Sequence, residues 1–268
     1  MLKIENVSKT FDMGTVNEKK AIDNINLVLE EGDFVTVIGG NGAGKSTVLN
    51  LIAGVYPMDC GHIYLDNEDI SLYPEYKRSK LIGRVFQDPM MGTAADMEIA
   101  ENLAMANRRG ANRGLNWYIK NSEKEYFKGK LATLELGLED RMKSKVGLLS
   151  GGQRQALTLL MATLQRPKIL LLDEHTAALD PKTAKRVLEL TNEIITEQQL
   201  TTFMVTHNMR DAITYGNRLI MMYEGKIIFD IKGEEKEKLT VKDLLAMFEG
   251  AVGEELNDDA VLLTKNDD

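Results

Sequence analysis

The stretch "IGGNGAGKST", Ile38–Thr47, sets four glycines directly after a stiff apolar run and follows them with Lys45, Ser46 and Thr47. The run before it, "DFVTVIG", is nearly all apolar or β-branched, which suits a parallel strand covered on both faces. After it, "TVLNLIAG" reads as a helix, with Gly54 as its stop and Pro57 just beyond. Between that strand and that helix, Gly39–Ser46 fits the spacing G-x-x-x-x-G-K-[ST]. Glycines let backbone amides wrap closely around an anion, in conformations that other residues adopt at a cost. The helix opening near Lys45 aims its free N–H groups and positive dipole end at the same point. The stretch therefore reads as a phosphate cradle. The backbone of Asn41, Gly42, Ala43 and Gly44 encloses the anion, Lys45 adds charge near the β- and γ-phosphates, and Thr47 follows in the helix. The Ser46 hydroxyl is the oxygen offered to Mg2+.

Farther along, "ILLLDE" places Asp173 and Glu174 at the C-terminal end of a second buried strand, where ligands gather in parallel α/β sheets. Two carboxylates there can divide the work. Asp173 holds Mg2+ through water, and Glu174 faces the γ-phosphate and polarises the attacking water. Between the cradle and these carboxylates lies "LLSGGQRQALTLLMATL", Leu148–Leu164. Ser150 is a good N-cap, and Ala156, Leu157, Leu160 and Leu164 form an apolar face. Gly151 and Gly152 in the first turn each cost up to ~1 kcal/mol relative to alanine. A bare helix end able to approach phosphate accounts for that sacrifice. His207, in "MVTHN", reads on its own as a hydrogen-bonded histidine capping a strand.

The remaining pattern is that of an α/β chain. "LKIENV" and "INLVLE" suit strands of a sheet with one wet face, and "GHIYLDNEDI" a strand and turn. From Gln87 to about Pro167 the texture turns mainly helical, through "AADMEIAENLAMA" and "EYFKGKLATLELGL" around the polar "NRRGANRGLN". Strand signals then return in "KILLLDE" and "TTFMVTH", separated by a helix over Lys182–Gln198. "RLIMMYEGKIIFD" reads as a hairpin turning at Glu224–Gly225, and "TVKDLLAMFEG" as a terminal helix. The expected organisation is a core with an antiparallel part over 1–86, a helical subdomain over 87–167, the rest of the core over 168–249, and an acidic tail over 250–268.

Totals restrict the function. The 268 residues carry a net charge of −8, from 33 basic and 41 acidic residues, with 43% apolar residues. The tail holds six of the acidic residues against Lys265 alone. A nucleic-acid binder shows a basic excess or stripe, and neither occurs, so no nucleic-acid partner is expected. Cys60 is the single cysteine, which excludes an internal disulfide and fits a reducing compartment. Neither a signal-peptide pattern nor an apolar run near ~20 residues is present, so a soluble, cytoplasmic chain is expected.

"LSGGQ", Leu149–Gln153, is identical to the signature of ABC-type ATPases, and the family's other motifs occur in order. The chain resembles their nucleotide-binding domains from about Leu2 to Asp230. The resemblance implies a P-loop NTPase fold of the ABC ATPase type, with a mostly parallel core sheet, an N-terminal antiparallel β subdomain and an inserted helical subdomain. It implies ATP and Mg2+ as ligands and ATP hydrolysis as the activity. It makes Gln87, in "VFQDP", the glutamine that senses Mg2+ and the γ-phosphate. It makes Asp180, in "AALD", the D-loop residue, His207 the histidine that contacts the γ-phosphate, and Phe11 the aromatic that stacks on adenine. Two features depart from the family pattern: His175 stands where proline usually follows the catalytic glutamate, and "RQALTLLMATL" lacks the basic residue often found near Ala156. His62 and His175 read as structural or surface residues, and Cys60 as a loop residue without chemistry.

Each motif occurs once, and in the family fold the signature lies too far from its own cradle to touch the same ATP. The resemblance thus implies a head-to-tail homodimer, with each ATP clamped between one chain's cradle and the other's Ser150–Gln153. Translation factors of this family carry two such domains, and chromosome ATPases a long coiled coil. Transport through separate membrane-spanning subunits is therefore expected, with the chain on the inner face of the membrane and a solute-binding protein outside. Uptake of a small solute such as an amino acid leads, and an exporter, a lipoprotein-extraction complex or a soluble non-transport ATPase is the alternative. "DEHTAALDP" resembles a bacterial group paired with binding proteins for aromatic amino acids. Met90, Met91 and Met97, within Gln87–Glu101, suit a groove for a partner's helix or an ordinary core.

Overall fold

The N-terminal alternation becomes an antiparallel sheet. In the computed structural model, β1 (Leu2–Phe11) lies between β2 (Lys19–Leu29) and β4 (Cys60–Leu65), and β5 (Glu68–Asp69) closes the edge. Along β2, Ile25, Leu27 and Leu29 are buried while Asn26 and Val28 face solvent, the period of two that one dry face requires. Cys60 opens β4 and is exposed, so it belongs to a strand end rather than a loop. The structure describes residues 1–111 and 119–252, which form two compact units: Met1–Arg78 with the chain from Leu200, and Ser79–Gln199. The acidic tail expected from Gly250 lies, from 253 on, outside the described residues, as does the glycine-containing part of the helical stretch over 112–118.

In the first unit, β3 (Phe34–Ile38) is buried at every position, as its unbroken apolar run predicts. It pairs in parallel with β8 (Thr202–Val205) on one side and with β9 (Arg218–Tyr223) on the other. β10 (Lys226–Lys232) returns antiparallel to β9 through Glu224 and Gly225, whose φ angles of 44° and 75° make the tight turn read from the sequence. α1 (Lys45–Ala53) follows the glycine loop and stops at Gly54, which adopts φ 80° and closes the last turn. The short α2 (Glu75–Arg78) ends in a buried arginine whose guanidinium donates to the carbonyls of Leu51, Ile52, Ser71 and Tyr73.

The second unit holds the parallel pair β6 (Ile82–Val85) and β7 (Ile169–Asp173). Its helices are α3 (Ile99–Asn107), α4 (Asn121–Ala132), α5 (Gly151–Thr163) and α6 (Pro181–Gln198). The helical texture expected after Gln87 is present, but α3 begins five residues later than the periodicity of "AADMEIAENLAMA" suggests. The Glu101 carboxylate accepts from the backbone N–H of Glu98 at 2.8 Å and fixes that start.

Back in the first unit, α7 (Met209–Thr214), α8 (Glu234–Glu237) and α9 (Val241–Val252) complete the elements among the described residues. Leu244 and Phe248 of α9 join Met209 and Ala212 of α7, Leu219 and Met221 of β9, and Ile38 in one apolar cluster. Among the described residues, no helix is long and apolar enough to cross a membrane.

Lys236 is among the cations held inside the first unit. It is 1% exposed, and its ammonium donates to the carbonyls of Tyr215 and Gly216 at the end of α7. Burial pulls its pKa down from 10.5 to about 8. Between pH 8 and 10.5 the unfolded chain holds a proton that the folded chain has released, so stability rises with pH through that window. Lys236→Met removes this rise and strands two carbonyls, for a loss of about 1–3 kcal/mol at pH 7. Urea unfolding of both proteins from pH 7 to 10.5 checks the sign and the size.

Candidate functional site

The cradle is built by contacts that admit no side chain. At Gly39, φ 153°, a Cβ would stand 2.2 Å from the Met222 carbonyl oxygen of β9. At Gly44, φ 100°, it would stand 2.7 Å from the Ala21 carbonyl oxygen of β2. The loop is thus pressed between two strands, and only glycine fits at either point. Lys45 opens α1 and is 5% exposed, with its ammonium donating to the carbonyls of Gly39 and Gly40 at 2.7 and 3.0 Å. Asn41, Gly42 and Ser46 are exposed, Thr47 is half-buried, and Ala43 is buried with its carbonyl accepting from the Gly225 amide. These residues form an open rim of backbone and hydroxyl groups at a helix N-terminus, above a buried cation.

His207 follows β8. The parallel register pairs Val37 with Val205, so His207 and Gly39 each lie two residues past paired positions, at the same end of the sheet. The Asn208 side chain caps α7 by accepting from the Asp211 amide at 3.0 Å, which fixes the bend just after His207. Phe11 ends β1, half-buried, with Tyr56 edge-on at 5.2 Å and the Lys9 ammonium 5.6 Å from its ring centre. Lys19 faces Phe11 across β1 and β2, and its ammonium lies 3.1 Å from where a Cβ of Gly42 would stand. This second cation beside the cradle was not singled out from the sequence. "KK" before the apolar alternation of β2 looks like an ordinary solvated strand end, and only the register brings it to the loop.

In the second unit, the register pairs Val85 with Leu172, so Gln87 and Glu174 both lie just beyond the same end of the β6–β7 pair. Gln87 is exposed in a bend, while Asp173 and Glu174 are half-buried. Glu174 adopts φ 45°, a left-handed conformation that side chains rarely take and that marks strain at the strand end. Asp173 lies 3.5 Å from the Arg84 guanidinium. His175 turns inward and is 2% exposed. Its Nε2 meets Thr191 Oγ1 at 3.1 Å, and that hydroxyl donates onward to the Val187 carbonyl, so the imidazole Nε2 carries the proton. Burial lowers its pKa to about 4, so it is neutral at pH 7. It anchors the carboxylate strand to α6, in keeping with a structural part. His62 is exposed on β4 beside Asp69.

Ser150 caps α5 as expected: its hydroxyl accepts from the Gln153 amide at 3.3 Å, and the Gln153 side chain accepts from the Ser150 amide at 3.2 Å. The glycine pair has a further reason. Gly151 is exposed, but Gly152 is buried, and a Cβ there would stand 2.1 Å from Thr183 Cγ2 of α6. Close packing of α5 on α6 therefore demands glycine at 152, which corrects the explanation from phosphate access alone. Asp180 caps α6 by accepting from the Thr183 amide at 3.1 Å, and these hydrogen bonds hold its carboxyl below the usual range. Met90 and Met91 are exposed and Met97 is half-buried.

The donors suit a hard cation. Ser46 offers a hydroxyl, Gln87 an amide oxygen and Asp173 a carboxylate, and among the described residues no cluster of three or more His, Cys, Asp or Glu is present. Mg2+ uses one or two carboxylates together with substrate phosphates rather than an all-protein cage, and the oxygen donors within each unit, Ser46 in the first and Gln87 with Asp173 in the second, are of the kind it takes.

The family model described as "ABC transporter" matches residues 22–177, more than half of the chain. The chain belongs to the ABC transporter family. It is an ATP-binding, ATP-hydrolysing subunit of that family, with its mixed α/β fold. It is 45% identical over 252 residues to a tyrosine transport ATP-binding protein of Clostridioides difficile (strain R20291), covering 94% of this chain and 100% of that one. It is 34% identical to a spermidine/putrescine import ATP-binding protein of Haemophilus influenzae (strain ATCC 51907 / DSM 11121 / KW20 / Rd), over 86% of this chain and 57% of that protein's length. A solved dimeric, post-hydrolysis ATP-binding cassette bound to ADP and Pi superposes with a TM-score of 0.74 at 30% identity, over 87% of this chain and 98% of that one.

The packing role of Gly152 in this ABC subunit is open to direct measurement. Gly152→Ala drives a methyl into Thr183 and costs about 1–3 kcal/mol. Thr183→Ser removes the clashing carbon while keeping the amide that Asp180 needs. The double variant is expected to recover at least half of the loss in urea unfolding. Purely additive losses would remove the packing explanation.

Proposed function

We propose that the chain drives uptake of an aromatic amino acid, tyrosine in the first instance, through separate membrane-spanning subunits. The observation that carries this reading is the 45% identity that spans the full length of a tyrosine transport ATP-binding protein. Two copies associate head-to-tail around two ATP molecules, a proposal supported by the likeness to a dimeric cassette. An extracytoplasmic binding protein delivers the amino acid, and the dimer works from the inner membrane face.

Each residue has a stated task in this proposal. Backbone amides from Asn41 to Thr47 enclose the phosphates, and Lys45 supplies a positive charge to the β- and γ-phosphate oxygens. Phe11 stacks on the adenine. Mg2+, when bound, would neutralise charge on the phosphates, and Ser46, Asp173 and Gln87 are the residues that would hold it. Glu174 orients and polarises the attacking water, and His207 hydrogen-bonds the γ-phosphate. Ser150, Gly151, Gly152 and Gln153 close on the ATP of the opposite copy, with Asp180 at the seam. Contacts made only while the γ-phosphate is present give ATP its leverage over the closed state.

Glu174→Gln keeps the side chain's shape and removes its basicity. It is expected to bind ATP, to accumulate as a dimer in size-exclusion chromatography, and to hydrolyse about 100-fold more slowly or worse. Hydrolysis at the wild-type rate would falsify the role given to Glu174. For the cargo, the chain is purified with its membrane subunits and binding protein and reconstituted in liposomes. ATP-dependent accumulation of labelled tyrosine, unaffected by excess spermidine, is the expected result. Accumulation of spermidine without tyrosine would move the assignment to polyamine uptake.

A further inference from the structure

We propose that Arg84 is the resident counter-ion of Asp173, a fixed guanidinium that balances the carboxylate and that a divalent cation must displace in order to bind there. The inference rests on the assignment of Asp173 as a metal ligand.

Four observations within the second unit lead to it. Arg84 sits on β6 in register with Leu171, so Asp173 is its diagonal neighbour two positions along β7 and within reach of a long side chain. The Arg84 Nη2 and Asp173 Oδ2 atoms are 3.5 Å apart, and the two side chains are only 14% and 17% exposed, which limits screening by solvent. A charge-assisted hydrogen bond is shorter, about 2.7–2.9 Å, so this pair is held by charge more than by a tight bond, and a small hard cation can part it. Finally, the guanidinium lies 4.5 Å from the Phe86 ring centre, and the Phe86 carbonyl accepts at 3.1 Å from the side chain of Gln155, itself fully buried on α5. The aromatic face gives the cation a favourable position beside Asp173 that it keeps when the carboxylate is taken by another cation.

Arginine stays protonated across the accessible pH range, so the arrangement cannot be released by loss of a proton. It is released by competition. A cation approaching Asp173 alone meets a carboxylate whose charge is already balanced. A cation arriving with a polyphosphate brings compensating negative charge, which draws the guanidinium away from the carboxylate. The consequence is that this residue suppresses metal binding in the absence of nucleotide and makes the two ligands arrive together.

The test uses Mn2+ as the probe and the intact, nucleotide-free protein, with free Mn2+ read from its paramagnetic resonance signal. Arg84→Met is expected to tighten Mn2+ binding about tenfold, the size that follows when an opposing unit charge is removed at this range. Arg84→Lys retains the charge and stays close to wild type. Arg84→Met combined with Asp173→Asn returns to the wild-type affinity. Arg84→Gln serves as a second neutral variant should the methionine fail to fold, as judged by circular dichroism. Tightening below threefold in the neutral variants, or tightening that survives Asp173→Asn, overturns the proposal. Asp173→Asn alone, assayed for Mg2+-dependent hydrolysis, separates the two layers. An active Asp173→Asn removes the metal-ligand reading itself, whereas an inactive one beside an unresponsive Arg84→Met removes only the counter-ion.

Discussion

The structure depends on a loop of backbone pressed against two strands with no room for a side chain. Gly39 backs onto the Met222 carbonyl and Gly44 onto the Ala21 carbonyl, each at a distance that only hydrogen tolerates. Those two contacts fix where the amides of the cradle point, because a loop wedged at both ends has little freedom in between. The wedge is itself supported. Ile38, the residue before the loop, packs with Met209 and Ala212 of α7 and with Leu244 and Phe248 of α9. The segment that follows His207 and the root of the cradle therefore share one apolar cluster. A displacement of either is felt by the other through side chains packed at crystal-like density.

Three buried ionisable side chains show how a group taken out of water can keep a partner. Arg218 shows it best. Its guanidinium forks onto Asp230 with bonds of 2.7 and 2.6 Å, while Nη1 donates to Asp33 and to the Val28 carbonyl of β2. One side chain thus joins the antiparallel sheet to the strands that carry the cradle. Lys236 does the same for the end of α7, and His175 for the strand that carries the carboxylates. His175 also illustrates a choice between two anchors. Proline rigidifies a chain by fixing its own φ and restricting its predecessor. A buried histidine instead fixes the chain by a hydrogen bond to a neighbouring helix, and leaves Glu174 in a left-handed conformation.

Much of this was legible in the sequence, and the reasons are physical. The fully apolar run of β3, the alternation along β2 and the Glu224–Gly225 turn each carry a local signal with one structural solution. The Ser150 cap is local too, since its partner is three residues away. β6 escaped notice because four residues, "IGRV", hold too little pattern to distinguish a strand from a loop. Lys19, Arg84 and the demand for glycine at 152 were illegible for a different reason. Each depends on a residue far away in the chain: Gly42, Asp173 and Thr183. Such pairs are created by register and helix packing, and no window of sequence contains both members.

The same device brings chemistry together in each unit. In the first, a parallel register ends so that Gly39 and His207 emerge side by side; in the second, it ends so that Gln87 and Glu174 do. Parallel strands all present their C-terminal ends on one side, and each must continue into a crossover, so the residues just past the last ladder bond are the first ones free to leave the sheet. They inherit the rigidity of the strand and still reach solvent. Such a combination suits any residue that meets a charged ligand, because its side chain is fixed before the ligand arrives, on backbone that the ligand's own charge does not have to reorganise. Glutamate at φ 45° is the point where this placement is carried furthest, since a relaxed extended residue at 174 would prolong β7 instead of turning away from it.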